Sequence, residues 1–94
     1  MLNVCGGIKA SKVNLLPTSG WCDYVFHENY KLTPLSELRE FINQNDRLPE
    51  MPSETEILKS GIDVSEIITL HMKKIEELTL YILELEMRIN ELEK

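Results

Sequence analysis

The 94-residue sequence has few of the cysteine and histidine residues that cross-link very small domains through disulfides or metal ions. It contains two cysteines, Cys5 and Cys22, and two histidines, and none of them has the spacing of zinc ligands. Two cysteines are a weak signal for a disulfide, so free thiols are the favoured interpretation. The sequence therefore predicts no structural metal and no other cofactor. Association with other chains remains the favoured source of stability.

Long apolar runs and basic clusters are also missing. No stretch approaches the ~20 apolar residues of a membrane-spanning helix, and residues 1–12 lack the apolar core of a signal peptide. The formal net charge is −6, which argues against nucleic acid because phosphates require clustered Lys and Arg. We therefore expect no nucleic-acid partner and no membrane insertion, in a chain that is either cytosolic or a fragment of a longer protein.

The motifs of common catalytic sites are absent, including G-x-S-x-G, the phosphate-binding loop and H-E-x-x-H. Cys22 and His27 are the one Cys/His pair at short range, and Asp23 is the one nearby group that could orient the histidine. Four glutamates look like paired carboxylates but are expected in solvent on the outer face of a helix: Glu76, Glu77, Glu84 and Glu86. The chain is predicted not to be an enzyme.

Residues 1–20 carry the pattern of a β-rich segment. Leu2, Val4, Ile8 and Ala10 share a parity, which is the period-two signature of a half-buried strand. Residues 17–20, PTSG, have the composition of a loop. We predict a short β-rich entry over residues 1–20.

Residues 21–61 are predicted to form a small compact unit, which we call the knob. It begins with a strand, WCDYVF, and continues with a helix that Thr33 caps and that Asn43 to Asp46 end. After an extended proline-containing stretch, Ser53 and Glu56 form a capping box for a second helix that Gly61 ends. The predicted knob core consists of aromatic and aliphatic residues: Trp21, Tyr24, Phe26, Tyr30, Leu35, Leu38, Phe41 and Ile42.

Residues 62–94 predict a parallel coiled coil. Asp63 and Glu66 form a second capping pair at its start, and isoleucine and leucine then recur in a seven-residue repeat. The strict repeat predicts a left-handed supercoil. The a and d positions form the predicted oligomer seam: Ile68, His71, Ile75, Leu78, Ile82, Leu85, Ile89 and Leu92.

The number of chains in the coiled coil stays open at this point. Isoleucine at a with leucine at d favours two strands in model peptides. A second apolar stripe outside the seam, Leu80, Leu83 and Met87, suits a larger bundle or packing against the knob. His71 is interpreted as a polar seam residue that sets register rather than as a metal ligand.

The string WCDYVFHENYKLTPLSELREFINQNDRLPEMPS, followed by IDVSEI and KKIEELTLYILELE, resembles the C-terminal module of bacterial tail-fibre-like and adhesin-like surface proteins. The resemblance covers nearly the whole chain, and Gly6 to Val13 is similar to the last shaft turn before such modules. Cys22 and Glu50 depart from the family pattern, which puts loop detail in doubt. The self-cleavage motif of some phage fibre endings is not found.

Residues and resemblance together predict an α+β fold: a β-rich entry, a helical knob and a C-terminal coiled coil. The resemblance implies a non-enzymatic module that oligomerises, registers and caps the end of an extracellular, cell-surface or virion-associated fibre. It favours a homotrimer, and a homodimer is the alternative. The alternative function is a receptor- or glycan-binding tip, with Trp21, Tyr24 and Tyr30 as an exposed platform.

Overall fold

The computed structural model describes residues 1–16 and 20–93, and the predicted loop at residues 17–19 lies outside the described residues. A 3-10 helix at Asp23–Phe26 is followed by three α-helices: α1 (Leu35–Asn45), α2 (Glu54–Ser60) and α3 (Val64–Leu92). The chain is elongated, with extents of 60 × 30 × 24 Å. The long axis reflects α3, which spans about 44 Å at 1.5 Å per residue.

The predicted α+β fold is wrong, because residues 1–16 and 20–93 contain no β-strand. Residues 1–16 are irregular and all of them are exposed, including the alternating Leu2, Val4, Ile8 and Ala10. A strand needs a neighbouring strand to complete its backbone hydrogen bonds. Within the described part of the chain no second segment supplies them, so the alternating pattern alone does not produce a sheet.

The strand predicted at WCDYVF is wrong as well, because this stretch forms the 3-10 helix. The Val25 N–H donates to the Cys22 carbonyl and the His27 N–H donates to the Tyr24 carbonyl, both at 3.1 Å. Side chains three residues apart eclipse in a 3-10 helix, so Cys22 and Val25 share one side. Both are 1% exposed, and the 3-10 helix packs against α3.

The predicted ends of α2 and the start of α3 are confirmed. The Ser53 Oγ accepts a hydrogen bond from the Glu56 N–H at 3.3 Å, and α2 ends at Gly61, whose φ of 78° is one that glycine adopts without strain. The Asp63 carboxylate accepts from the Glu66 N–H at 3.0 Å. These caps fix the point where the chain turns from the knob into α3.

Helix α1 begins one residue later than predicted. Its N-cap is Pro34, and no side chain caps it. Thr33 has a different partner, because its carbonyl oxygen accepts a 2.6 Å hydrogen bond from the Tyr81 hydroxyl. The helix ends at Asp46, which has a left-handed φ of 55° and whose N–H donates to the Ile42 carbonyl. This end lies within the predicted range.

Candidate oligomerisation surface

One side of α3 is covered by residues 22–33, which we call the wrapping segment. Its contacts with α3, in chain order, are Cys22 with Glu76, Tyr24 with Lys73, Tyr30 with Glu77, and Thr33 with Tyr81. At roughly 100° per residue, the last three α3 positions lie about 60°, 100° and 140° around the helix axis from Glu76. The segment therefore winds around α3 in one direction and leaves the opposite side uncovered.

The first contact of the wrapping segment buries a thiol and a carboxylate together. The Cys22 Sγ donates to Glu76 Oε1 at 3.1 Å, and Glu76 is only 7% exposed. Its other oxygen, Oε2, is buried and has no hydrogen-bond partner in the described part of the chain. Burial and the hydrogen bond to Glu76 raise the pKa of Cys22 to about 11. A thiol held neutral at physiological pH is a poor nucleophile.

The middle contacts form a polar network between the knob and α3. The Tyr30 hydroxyl donates to Glu77 at 2.6 Å, and Lys74 bridges Glu77 at 3.1 Å and Glu50 at 3.2 Å. Lys73 also pairs with Glu50 at 2.7 Å and lies 5.7 Å from the Tyr24 ring centroid. The network ties the loop before α2 to the centre of α3.

The network sets the ionisation of its members. Burial opposes the charge on Glu50, but the hydrogen bonds from Lys73 and Lys74 outweigh it and lower the pKa of that carboxyl. Burial and the hydrogen bond to Glu77 raise the pKa of Tyr30. Tyr30 therefore stays a neutral donor, and Glu50 stays an anionic acceptor.

The expectation that Glu76 and Glu77 face solvent is wrong. Glu76 is buried and Glu77 is half-buried, while Glu86 is exposed and Glu84 pairs with Arg88 at 2.6 Å. The acidic residues of a helix are normally solvated, so composition gave no sign of this burial. The sequence signal that could have indicated this burial was the four-residue spacing of Lys73, Glu77 and Tyr81, which places them on one side of the helix next to Glu76.

The uncovered side of α3 carries the predicted seam. Its aliphatic members are exposed in the single chain, from 43% at Leu85 to 86% at Leu92. The hydrogen bonds and the cation–π contact that join the wrapping segment to α3 reach none of these positions, and the centre of the seam lies roughly 150° around the axis from the centre of the covered side. The exposed aliphatic seam residues are Ile68, Ile75, Leu78, Ile82, Leu85, Ile89 and Leu92.

Helix α3 carries His71 within the seam and a second apolar stripe outside it. His71, the one polar member of the seam, is exposed. The second apolar stripe is only partly covered: Leu80 is half-buried, whereas Leu83 and Met87 are exposed. These two lie beyond the last α3 residue that the wrapping segment contacts, Tyr81, so the knob of the same chain does not cover them.

The predicted core residues of the knob are not its buried centre in the single chain. Four of them are exposed, Trp21, Tyr24, Phe26 and Ile42, and four are half-buried, Tyr30, Leu35, Leu38 and Phe41. The buried residues are Cys22, Val25, Glu76 and Tyr81. Whether assembly covers the exposed aromatic residues stays a prediction.

Across residues 1–16 and 20–93, no three His, Cys, Asp or Glu side chains are placed to hold a metal ion. Cys5 and Cys22 are both free thiols, the first exposed and the second buried, and His27 is exposed. None of the helices in the described part is both long and apolar enough to span a membrane.

Comparison with known proteins gives no match: no protein-family model, no curated protein and no solved structure is significantly similar to the chain. The feature of the chain that points to a function is the exposed seam of α3.

Proposed function

We propose that this chain is a non-enzymatic assembly module that joins identical copies through the α3 seam. The observation that carries the proposal is the exposure of seven Ile and Leu side chains at heptad spacing, on the side that the knob leaves free. Their burial between copies is worth on the order of 10–20 kcal/mol per chain before entropic costs. Identical chains supply a matching seam by symmetry.

The proposed assembly is a parallel homotrimer that registers and caps the C-terminal end of a fibre at a cell surface or on a virion. The parallel arrangement places every knob at the same end of the coiled coil. The trimer follows from the resemblance to fibre-ending modules, and the Ile and Leu pattern of the seam keeps a dimer as the alternative. The fibre role comes from the resemblance alone.

Sedimentation equilibrium of the full chain tests this proposal. The expected mass is three times the 10.9 kDa of one chain. A mass of two chains would retain assembly and replace the trimer by a dimer. At tens of micromolar, an exposed apolar seam of this size is expected to be buried between copies. A monomeric mass at that concentration would therefore contradict the proposal.

A second function, a receptor- or glycan-binding tip, is supported by one observation. Trp21 and Tyr24 are 45% and 44% exposed, and aromatic faces of this kind can bind sugars or apolar side chains. Tyr30 fits this role less well, because its hydroxyl is engaged by Glu77. Acrylamide quenching of Trp21 fluorescence in the assembled protein separates the two cases: strong quenching supports an exposed platform, and weak quenching supports burial on assembly.

A further inference from the structure

We propose that a neighbouring copy binds the knob as well as the seam. In this arrangement, α1 and the cavity at its base receive Leu83 and Glu86 from the α3 helix of the adjacent copy. The inference rests on the proposed assembly through the seam and adds a second, lateral contact to it.

The receiving surface starts at the seam itself. A cavity of about 230 Å³ lies between α1, the loop before α2 and α3. Its apolar lining includes Leu38, Leu48, Leu78 and Tyr81, and Leu78 is a seam residue. Leu38 also lines a shallow groove on α1 together with Leu35 and Ile42. An apolar surface therefore continues from the seam, across the base of α1, onto its outer side.

The α1 part of this surface is only partly covered within residues 1–16 and 20–93. Of the described helices, none packs closely against α1, although its apolar residues recur on one face. Ile42 and Leu48 are each 39% exposed. On the other flank of the seam, Leu83 is 51% exposed. An exposed apolar side chain on one flank of the seam and an apolar surface on the other thus both lack full cover in the single chain.

Heptad geometry brings the two surfaces together. In a parallel coiled coil, position g of one helix faces position e of the next heptad in its neighbour. Tyr81 occupies g and Glu86 occupies e, so Glu86 of the adjacent copy lies over Tyr81, at the base of α1. Leu83 lies one turn before Glu86, on the same side of the helix. Both residues therefore face the cavity and α1.

Charge favours the same arrangement. Arg39 borders the α1 groove and is exposed, as is Glu86. Neither forms an ion pair with another described residue of its own chain. A docked neighbour places these opposite charges near each other at the rim of an apolar contact, as is common at protein interfaces. The occupant that fits is therefore a second copy of this chain.

Directed disulfide formation between copies tests the contact. Arg39→Cys and Glu86→Cys are made in separate chains that also carry Cys5→Ser, and both sites are exposed, so the fold should tolerate them. The two variants are unfolded together, refolded as a 1:1 mixture and oxidised. Peptide mass analysis is expected to find a 39–86 disulfide between chains in most mixed oligomers. The matched control pairs Lys59→Cys with Glu86→Cys, since Lys59 precedes α3 and lies more than about 30 Å from Glu86.

The outcomes separate this contact from the seam. A 39–86 disulfide without a 59–86 disulfide supports docking of the neighbour on α1. An oligomer of the expected mass that lacks the 39–86 disulfide overturns the docking and leaves the seam intact. The same holds if the thiol introduced by Arg39→Cys stays open to maleimide in the oligomer, since the surface would then serve a different partner. A monomeric mass overturns both proposals.

Discussion

Glu76 carries a carboxylate, which favours hydration, but its side chain is buried. A carboxylate that is 7% exposed, with a thiol as its one described donor, carries a desolvation cost that no ion pair within the described residues offsets. Glu76 accepts the hydrogen bond from Cys22, which is the first contact of the wrapping segment with α3. The desolvation cost therefore falls at the boundary between the knob and α3.

Glu76→Gln is expected to stabilise the protein. The glutamine has the same shape and its Oε1 can still accept from Cys22, but a neutral amide is less costly to bury than a carboxylate. A gain of about 1 kcal/mol would raise the melting temperature by about 4–8 °C for a domain of this size. Thermal unfolding followed by circular dichroism measures this. The control is Glu91→Gln, an exposed change expected to stay within about 0.5 kcal/mol. A lower melting temperature for E76Q would mean that assembly supplies Glu76 with a cation.

At the scale of elements, three cap residues were predicted correctly, whereas the Thr33 cap and both strands were not. The caps at Ser53, Asp63 and Gly61 were predictable because each depends on neighbours within four residues. The 3-10 helix at Asp23–Phe26 was not predictable, because it forms where Cys22 and Val25 meet a helix some fifty residues away. The heptad positions of α3 could be assigned from spacing alone, whereas the wrapping segment could not.

The seam prediction can be tested by introducing aspartate at one exposed site inside the seam and at one exposed site outside it. Ile82→Asp places like charges at one level of every chain in the seam, which costs several kcal/mol on assembly. Leu58→Asp makes the same kind of change in α2, where the side chain is 79% exposed and outside the seam. We expect I82D to be monomeric at micromolar concentration and L58D to keep the mass of the unchanged protein by light scattering. Dissociation by L58D, with I82D still assembled, would move the interface away from the seam.

The contacts of Glu50 with Lys73 and Lys74 predict a defined pH dependence. Because the folded state lowers the pKa of Glu50, its stabilisation is fully present above the unfolded value of about 4.3 and is lost as pH falls through the folded pKa. The Glu50 side chain is 48% exposed, so its contribution is below about 1 kcal/mol. We expect Glu50→Gln to lower the melting temperature by a few degrees at pH 6–8, and this difference to shrink below about pH 4. A difference that is constant from pH 7 to pH 3 would show that Glu50 does not stabilise through its charge.

For the molecule as a whole, α3 supports the knob and, in the proposed assembly, the oligomer as well. Cys22 and Val25 are buried only because the 3-10 helix packs on α3, and α1 packs closely on no described helix. The knob is therefore expected to depend on α3, while α3 depends on its copies.

Fragments that contain the knob or α3 alone test whether the knob depends on α3. A fragment of residues 1–61 is expected to lack cooperative thermal unfolding, because its remaining burial cannot offset an entropy cost of roughly 1–2 kcal/mol per ordered residue. A peptide of residues 62–94 is expected to stay helical and to melt at a temperature that rises with concentration, as does the full chain. Circular dichroism over a hundredfold concentration range measures both. Cooperative unfolding of the 1–61 fragment as a monomer would show that the knob is independent of α3.

The wrapping segment also fixes when during synthesis the fold can be completed. Its hydrogen bonds join positions 54, 47 and 48 residues apart, so residues 22–33 leave the ribosome well before the part of α3 that they surround. At about 5–20 residues per second, this delay lasts a few seconds. A nascent chain interrupted before residue 81 has neither a completed knob nor a continuous seam. Under the proposed assembly, we expect such incomplete chains to be excluded by their own lack of structure, so that only chains translated through α3 enter the oligomer.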